Sequence, residues 1–228
     1  METYEIMPNV FQRLAWGPLR VSMTFFCSLQ IRGLENVKKI EGNMIIASNH
    51  SSELDPLLIV ACLPFFSRHL PLFFASRGKE FYSSMGWRRI FYGGTFFTMM
   101  GAYQVYAGLR NYPLALRHHL SFIQNGNNIC IFPSGEMNPG REPQKAKGGV
   151  AFLAQETGRP ILPVLIQNLE RLTLKDFLSG KRKAVVTFGE PLYAKDIFQD
   201  IKKVVIDVNR NDYEKAAAVL MKKIAQLT

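Results

Sequence analysis

Cysteine is scarce in this sequence. Cys27, Cys62 and Cys130 are odd in number, far apart and set among apolar residues, and no Cys-x-x-Cys pair exists. This excludes a disulfide framework and a thiolate metal cluster, and predicts three reduced, buried thiols. Cys130 lies in the run Ile129-Cys130-Ile131-Phe132, a setting that suits packing and not nucleophilic attack. Long apolar runs are missing as well. No stretch reaches the roughly 18–20 residues of a spanning helix. Residues 21–31 are too few, and residues 57–74 are broken by Pro64, Arg68, His69 and Pro71. The expectation is a protein that lies on a membrane and does not cross it. The first eight residues hold two Glu and no basic residue, so no secretory signal is expected. Metal-ligand spacing is also absent. His118 and His119 are adjacent, so they point in different directions from a helix, and no Cys or carboxylate stands at ligand spacing. Neither a metal nor a bound cofactor is expected.

Acidic residues are few: 18 Asp and Glu stand against 28 Lys and Arg, a formal net charge of +10 in 228 residues. The excess favours a polyanionic partner, whether nucleic acid, an anionic bilayer or a phosphorylated substrate. Hydrophobic residues make up 47% and charged residues 20%, which excludes a disordered chain and allows a sizeable core. Aromatic residues are many, seventeen Phe, eight Tyr and two Trp, and they are densest, with several basic residues, between Phe65 and Tyr112. Basic and aromatic residues together suit a membrane interface. No nucleic-acid recognition motif is present, so a nucleic-acid partner rests on charge alone and is not expected. The Phe65-Phe66, Phe73-Phe74 and Phe96-Phe97 pairs are read first as core packing.

Short apolar runs at 44–48, 72–75, 128–132, 161–166 and 184–188 read as buried strands. Helical patterns lie at 57–63, 112–124, 149–156 and 213–226. Their alternation predicts an α/β fold with a largely parallel central sheet flanked by helices. Residues 10–31 mix Arg13 and Arg20 with Phe11, Leu14, Trp16, Leu19, Phe25 and Phe26. Two readings of that segment stand, an interfacial anchor and a helix docked on the core. Trp16, Phe25 and Phe26 are its expected membrane contacts. The division expected is an N-terminal interfacial or docking segment over residues 1–30 and a main domain over 31–228. Lys181-Arg182-Lys183 reads as a solvated turn between strands.

The chemistry concentrates in Asn49-His50-Ser51-Ser52-Glu53-Leu54-Asp55, a polar loop between a strand and a helix. Ligands of open α/β sheets sit at such strand ends. Asp55 is expected as N-cap, with Pro56 at the first helical position. His50 and Asp55 can meet if the loop turns back. An imidazole whose second nitrogen donates to a carboxylate is held in one tautomer, which is what proton removal from an alcohol requires.

These residues recur with Ile131-Phe132-Pro133-Ser134-Gly135-Glu136, with Lys-Ala-Lys-Gly-Gly over 145–149 and with Pro163-Val164. In that order the chain resembles the glycerolipid acyltransferases of the 1-acyl-glycerol-3-phosphate acyltransferase type, from about Ile31 to Gln167. The resemblance implies a glycerol-3-phosphate acyltransferase-like fold with an N-terminal membrane-associating helical segment, placed at the cytoplasmic face of a membrane as a peripheral or monotopic protein. It implies His50 as general base and Asp55 as its orienting partner. The donor would be acyl-CoA or acyl-carrier protein, and the acceptor a lysophosphatidic acid or other lysolipid hydroxyl. Phe132, Pro133, Ser134, Gly135, Glu136 and Lys147 would bind the acceptor.

The departures bear on the acceptor. Ser134 stands where the family has Glu, and Met137 where it has Arg. The family's second motif matches best at 101–107, where its Arg falls at Tyr106 or Ala107. Those arginines hold the acceptor phosphate in the family, and Met, Tyr or Ala cannot make bidentate guanidinium contacts. Either Arg110, Arg141, Lys145 or Lys147 substitutes, or the acceptor differs, with Glu136 facing a cationic or polyhydroxylated headgroup. The alternative function is a non-catalytic, membrane-surface lipid-binding protein on the same fold.

Overall fold

Strand propensity and burial coincide in the centre of this chain. Ile45–Ser48, Asn128–Ile131 and Val185–Phe188 are buried at every position. A strand covered on both faces has no polar side to alternate with, so its sequence reads as one apolar run. The computed structural model describes residues 3–78, 95–106, 108–109, 111–137, 146–170, 172–198 and 209–227. In chain order the elements are α1 (Thr3–Cys27), β1 (Gln30–Arg32), α2 (Leu34–Lys38), β2 (Ile45–Ser48), α3 (Asp55–Cys62), β3 (Leu72–Ser76), α4 (Thr95–Met99), β4 (Ala102–Gln104), α5 (Tyr112–Ala115), α6 (Arg117–Gln124), β5 (Asn128–Ile131), α7 (Gly149–Thr157), β6 (Ile161–Gln167), α8 (Leu174–Leu178), β7 (Val185–Phe188), α9 (Ala194–Ile197) and α10 (Arg210–Ala225).

The strands form one sheet in the order β1-β7-β6-β2-β5-β3-β4. Neighbours are parallel except β6 and β7, so the sheet is largely parallel with a reversed β1–β7 pair at one side. Alternate side chains enter two cores. Ile46, Leu72, Phe74, Cys130, Leu162 and Val164 face one, with Met23 of α1 and Leu58 to Val60 of α3. Ile45, Ala47, Phe73, Ile129, Ile131 and Ile161 face the other, beneath α6, α7 and α10. Each fully buried Ile or Phe there contributes roughly 1.5–3 kcal/mol. All three cysteines are buried free thiols, and burial pushes the Cys62 thiol up to about 12.

The expected helix over 112–124 is two helices. The backbone at Leu116 leaves the helical region (φ −113°, ψ 18°), so α5 ends and α6 begins there. The edge strands β1 and β4, three residues each, carry no apolar run that would mark them in the sequence. Phe73 and Phe74 are core residues as expected, whereas Phe66 is 88% exposed. Around Lys181-Arg182-Lys183, Arg182 comes within 3.7 Å of Asp176 on the surface, as a solvated turn should.

Helix α1 is docked on the end of α3 and the chain just past it through polar contacts with backbone carbonyls. The Trp16 indole donates to Leu63 O (2.8 Å), Arg20 to Ala61 O (3.0 Å) and Arg13 to Phe65 O. A helix C-terminus leaves unpaired carbonyls and partial negative charge, which an indole N–H and a guanidinium satisfy. The buried Gln12 carboxamide acts as a strand residue, accepting from Leu72 N (2.9 Å) and donating to Leu72 O (2.7 Å). The outward positions of α1 are of another kind. Ile6, Met7, Val10, Leu14, Pro18, Val21, Thr24 and Phe25 are exposed, and none is charged. Of the three expected membrane contacts only Phe25 points outward. Trp16 packs on Phe65 at 5.4 Å and Phe26 on Phe177 at 4.9 Å, so both serve the docking. No helix is long and apolar enough to cross a membrane among the described residues.

Candidate active site

The loop after β2 is fixed at its start by Asn49. Its carboxamide donates to Ile166 O and accepts from Ile166 N, both at 2.8 Å, and so extends the β2–β6 pairing by one side chain. The chain then wraps a single carboxylate. Asp55 Oδ2 accepts from Ser51 N (2.7 Å), from Ser52 N (2.9 Å) and from His50 Nδ1 (2.9 Å). Asp55 is completely buried. It is the first residue of α3 and Leu54 is the N-cap, which corrects the expected cap by one position. The physical reason is that the carboxylate is engaged backward, by the loop amides, and not forward by the helix. Asp55 Oδ1 and Ser51 Oγ have no partner among the described residues.

A carboxylate only accepts, so the proton between the two residues belongs to His50 Nδ1 and Nε2 carries the lone pair. The His50 side chain is 21% exposed. Its ring lies over Phe132, centroids 4.2 Å apart and planes at 21°. Tautomer and ring orientation are therefore both set by neighbours.

Phe132 follows β5 and opens a tight turn. Gly135 N donates to Phe132 O (2.8 Å) and Ser134 Oγ to Glu136 O (2.8 Å). Lys147 N donates to Pro133 O (2.8 Å), which lays the Lys147 side chain across Gly135. Gly135 has φ +68°, and a Cβ there would stand 2.7 Å from Lys147 Nζ, so the position calls for glycine. Arg77, just beyond β3, donates to Gly135 O through Nε (3.2 Å) and Nη2 (3.1 Å), and to Glu136 Oε1 (2.7 Å). Lys147 Nζ is 3.6 Å from the same carboxylate oxygen. Lys147 first, then Arg77, hold the Glu136 carboxyl below its usual range. Glu136 thus answers two cations, and this turn presents more positive than negative charge. Arg117, at the start of α6, lies 3.8 Å over the Tyr106 ring, so a guanidinium stands beside the position where the second motif lost its own.

The pieces meet at the carboxyl ends of β2, β5 and β3, where a parallel sheet gathers its loops. A family model described as acyltransferase matches residues 28–167 of this chain. The chain belongs to the acyltransferase family. The matched span holds the His50–Asp55 pair, the 132–136 turn and Pro163-Val164. A curated 1-acyl-sn-glycerol-3-phosphate acyltransferase of Borreliella burgdorferi is 28% identical over 168 residues, which cover 71% of this chain and 60% of that protein. The chain therefore spans less than two thirds of that relative. The crystal structure of a 1-acyl-sn-glycerophosphate (LPA) acyltransferase, PlsC, from Thermotoga maritima superposes with a TM-score of 0.63 over 99% of this chain and 83% of that one. At 19% identity this likeness is one of fold.

Among this acyltransferase's expected site residues, His50 touches both Asp55 and Phe132, while Pro133, Ser134, Gly135, Glu136 and Lys147 form the adjoining turn. Ser134 closes that turn instead of pointing into an open site. Arg110, Arg141 and Lys145 lie outside the described residues, as does Ala107. Arg77 and Arg117 are site residues that no motif marks, and Asn49 stands in the polar loop without a spacing that shows its role. Arg77 had a signal, being the first cation past the strand 72–75, but its partner strand was unknown. No group of three or more His, Cys, Asp or Glu able to hold a metal ion occurs among the described residues.

Proposed function

We propose that this acyltransferase is an O-acyltransferase which moves a fatty acyl chain from a thioester to the free hydroxyl of a phosphorylated lysolipid at a membrane surface. The observation that carries the reading is the His50–Asp55 bond, which leaves Nε2 as the free base of a partly exposed imidazole. In this mechanism His50 Nε2 takes the acceptor hydroxyl proton while the oxygen attacks the thioester carbonyl. The tetrahedral oxyanion then expels the thiolate, and the imidazolium returns the proton to it. The Asp55 carboxylate balances the positive charge that develops on the ring. The donor is acyl-CoA or acyl-carrier protein, and no cofactor or metal takes part. The Gly135 amide is committed to Phe132 O and does not hold the oxyanion.

Arg77 and Lys147 are the acceptor-phosphate cations in this reading, in place of the arginine lost at Met137. A phosphate entering above the Gly135 turn would take the position Glu136 now holds between them. The apolar outward row of α1 gives the membrane contact, since its inner face is spent on α3. The test supplies purified protein with labelled acyl-CoA or acyl-carrier protein, and with lysophosphatidic acid or monoacylglycerol. Labelled product from the first acceptor, with KM raised about tenfold or more in Arg77→Gln, is the expected result. Vesicle binding with no product from any thioester donor would favour the non-catalytic alternative. Preference for monoacylglycerol would overturn the phosphate assignment.

A further inference from the structure

A second basic feature lies at the other end of the sheet, ahead of β2 and β3. There α2 and the loop before β3 frame a depression of about 310 Å³. Leu34 and Val37 give it an apolar wall, and Lys38 and Arg68 give it two cations, with Ser67 alongside. Arg68 is held by one N–H donated to Ile40 O. Lys38 is exposed, and neither cation is ion-paired with a carboxylate among the described residues. The neighbouring Lys39 shows the contrast, being spent on Glu190 at 2.8 Å. No carboxylate lines the depression. Two unspent cations against an apolar wall attract a compact anion that has an apolar body attached.

What adjoins the depression indicates the source of that anion. Phe66, next to Ser67 in the chain, is the most exposed large hydrophobic residue described, at 88%. It packs on Phe65 at 4.9 Å, and Phe65 packs on Trp16 of α1 at 5.4 Å. Phe66 is thus continuous, through Phe65, with the aromatic packing that docks α1, and it stands on the segment that carries Arg68. Aromatic rings beside Lys and Arg at the edge of an apolar surface are the arrangement that meets lipid headgroups.

We propose that the depression between α2 and the loop carrying Phe66 binds the phosphate of an anionic phospholipid headgroup, with Phe66 inserted beside it. This rests on the membrane docking of α1 proposed above and adds a lipid preference to it. Lys38 and Arg68 contact the phosphate, and the site is separate from the His50 end of the sheet. It orients the chain on the bilayer and takes no part in acyl transfer.

The experiment measures binding of the full chain to phosphatidylcholine vesicles with and without phosphatidylglycerol. The unmutated chain is expected to prefer the anionic vesicles. Lys38→Gln with Arg68→Gln should reduce that preference about thirtyfold, at about fivefold per cation near an anionic surface, and Lys38→Gln alone about fivefold. Lys38→Gln guards against misfolding, since it removes an exposed, unpaired charge. Lys222→Gln with Lys223→Gln, an equal charge change on α10, should alter the preference little. An equal loss in that control, or no loss in the first pair, overturns the site. Calorimetric binding of soluble glycerol phosphate to Lys38 and Arg68, with vesicle preference unaltered in the variant, overturns the lipid as its source. Acyl transfer to detergent-dispersed acceptor should be unchanged in both variants. Absence of binding to either kind of vesicle sinks the membrane reading itself, an outcome distinct from loss of preference alone.

Discussion

Two histidines, one proposed as the base and one a packing residue, sit in opposite surroundings. His50 sits on a loop at a strand end, keeps 21% of its side chain in solvent and has a carboxylate on Nδ1. His119 sits on α6, is wholly buried, makes a 3.3 Å contact from Nε2 to Phe74 O and has no partner on Nδ1 among the described residues. Burial with no anion nearby lowers the His119 pKa to about 4. His119 therefore stays neutral through the physiological range and fills space. In the proposed mechanism His50 is the base, with Asp55 on its Nδ1 and part of its side chain in solvent. The sequence shows one histidine as readily as the other. The difference lies in the carboxylate five residues on and in the depth of the helix.

Four changes test that contrast. His50→Ala should lower acyl transfer by at least a hundred- to ten-thousand-fold while circular dichroism and melting stay those of the unmutated chain. Wild-type turnover in that variant would end the general-base mechanism. Asp55→Asn should cost about a hundredfold in kcat, and on the order of 1–3 kcal/mol in stability as two loop amides lose an ionic acceptor. Denaturant titration beside kinetics separates the two effects.

The third change concerns pH. The folded-state pKa of His119 is depressed, so the unfolded chain binds the proton first as pH falls. The stability from keeping this ring neutral is complete above its unfolded value of about 6.5. It is lost progressively down to about 4, by on the order of 3 kcal/mol. His119→Gln should flatten the unfolding free energy over that window, and an unaltered slope would refute the assignment. Asn49→Ala should have the smallest effect. It removes the two hydrogen bonds to Ile166 and costs on the order of 1–2 kcal/mol. If Asn49 positions His50, kcat should fall while KM for the acceptor holds. A change in stability alone would make it purely structural.

Much of the central sheet was legible because burial on both faces turns a strand into an apolar run. The runs ending at Ser48, Ile131 and Phe188 needed no partner to be recognised. The edges were not legible. Gln30–Arg32 and Ala102–Gln104 are strands because β7 and β3 offer them open hydrogen bonds, not because of their own composition. The reversal of β7 was hidden for a related reason. Nothing in the local pattern of 168–184 distinguishes a return on the same side from a crossover. At the site, spacing and motif order pointed to His50, Asp55 and the 132–136 turn. Arg77 stayed hidden, since β3 had first to be placed beside β5.

The sequence by itself determined an α/β chain, its acyltransferase motif and a His–Asp pair five residues apart. Those are local facts, written in periodicity and in short polar loops between apolar runs. Tertiary structure alone decided which cations gather at the 132–136 turn, which face of α1 is left bare and which histidine keeps contact with solvent. Each of these depends on segments far apart in the chain being brought side by side, and strand order, which does this, is not encoded in any one segment.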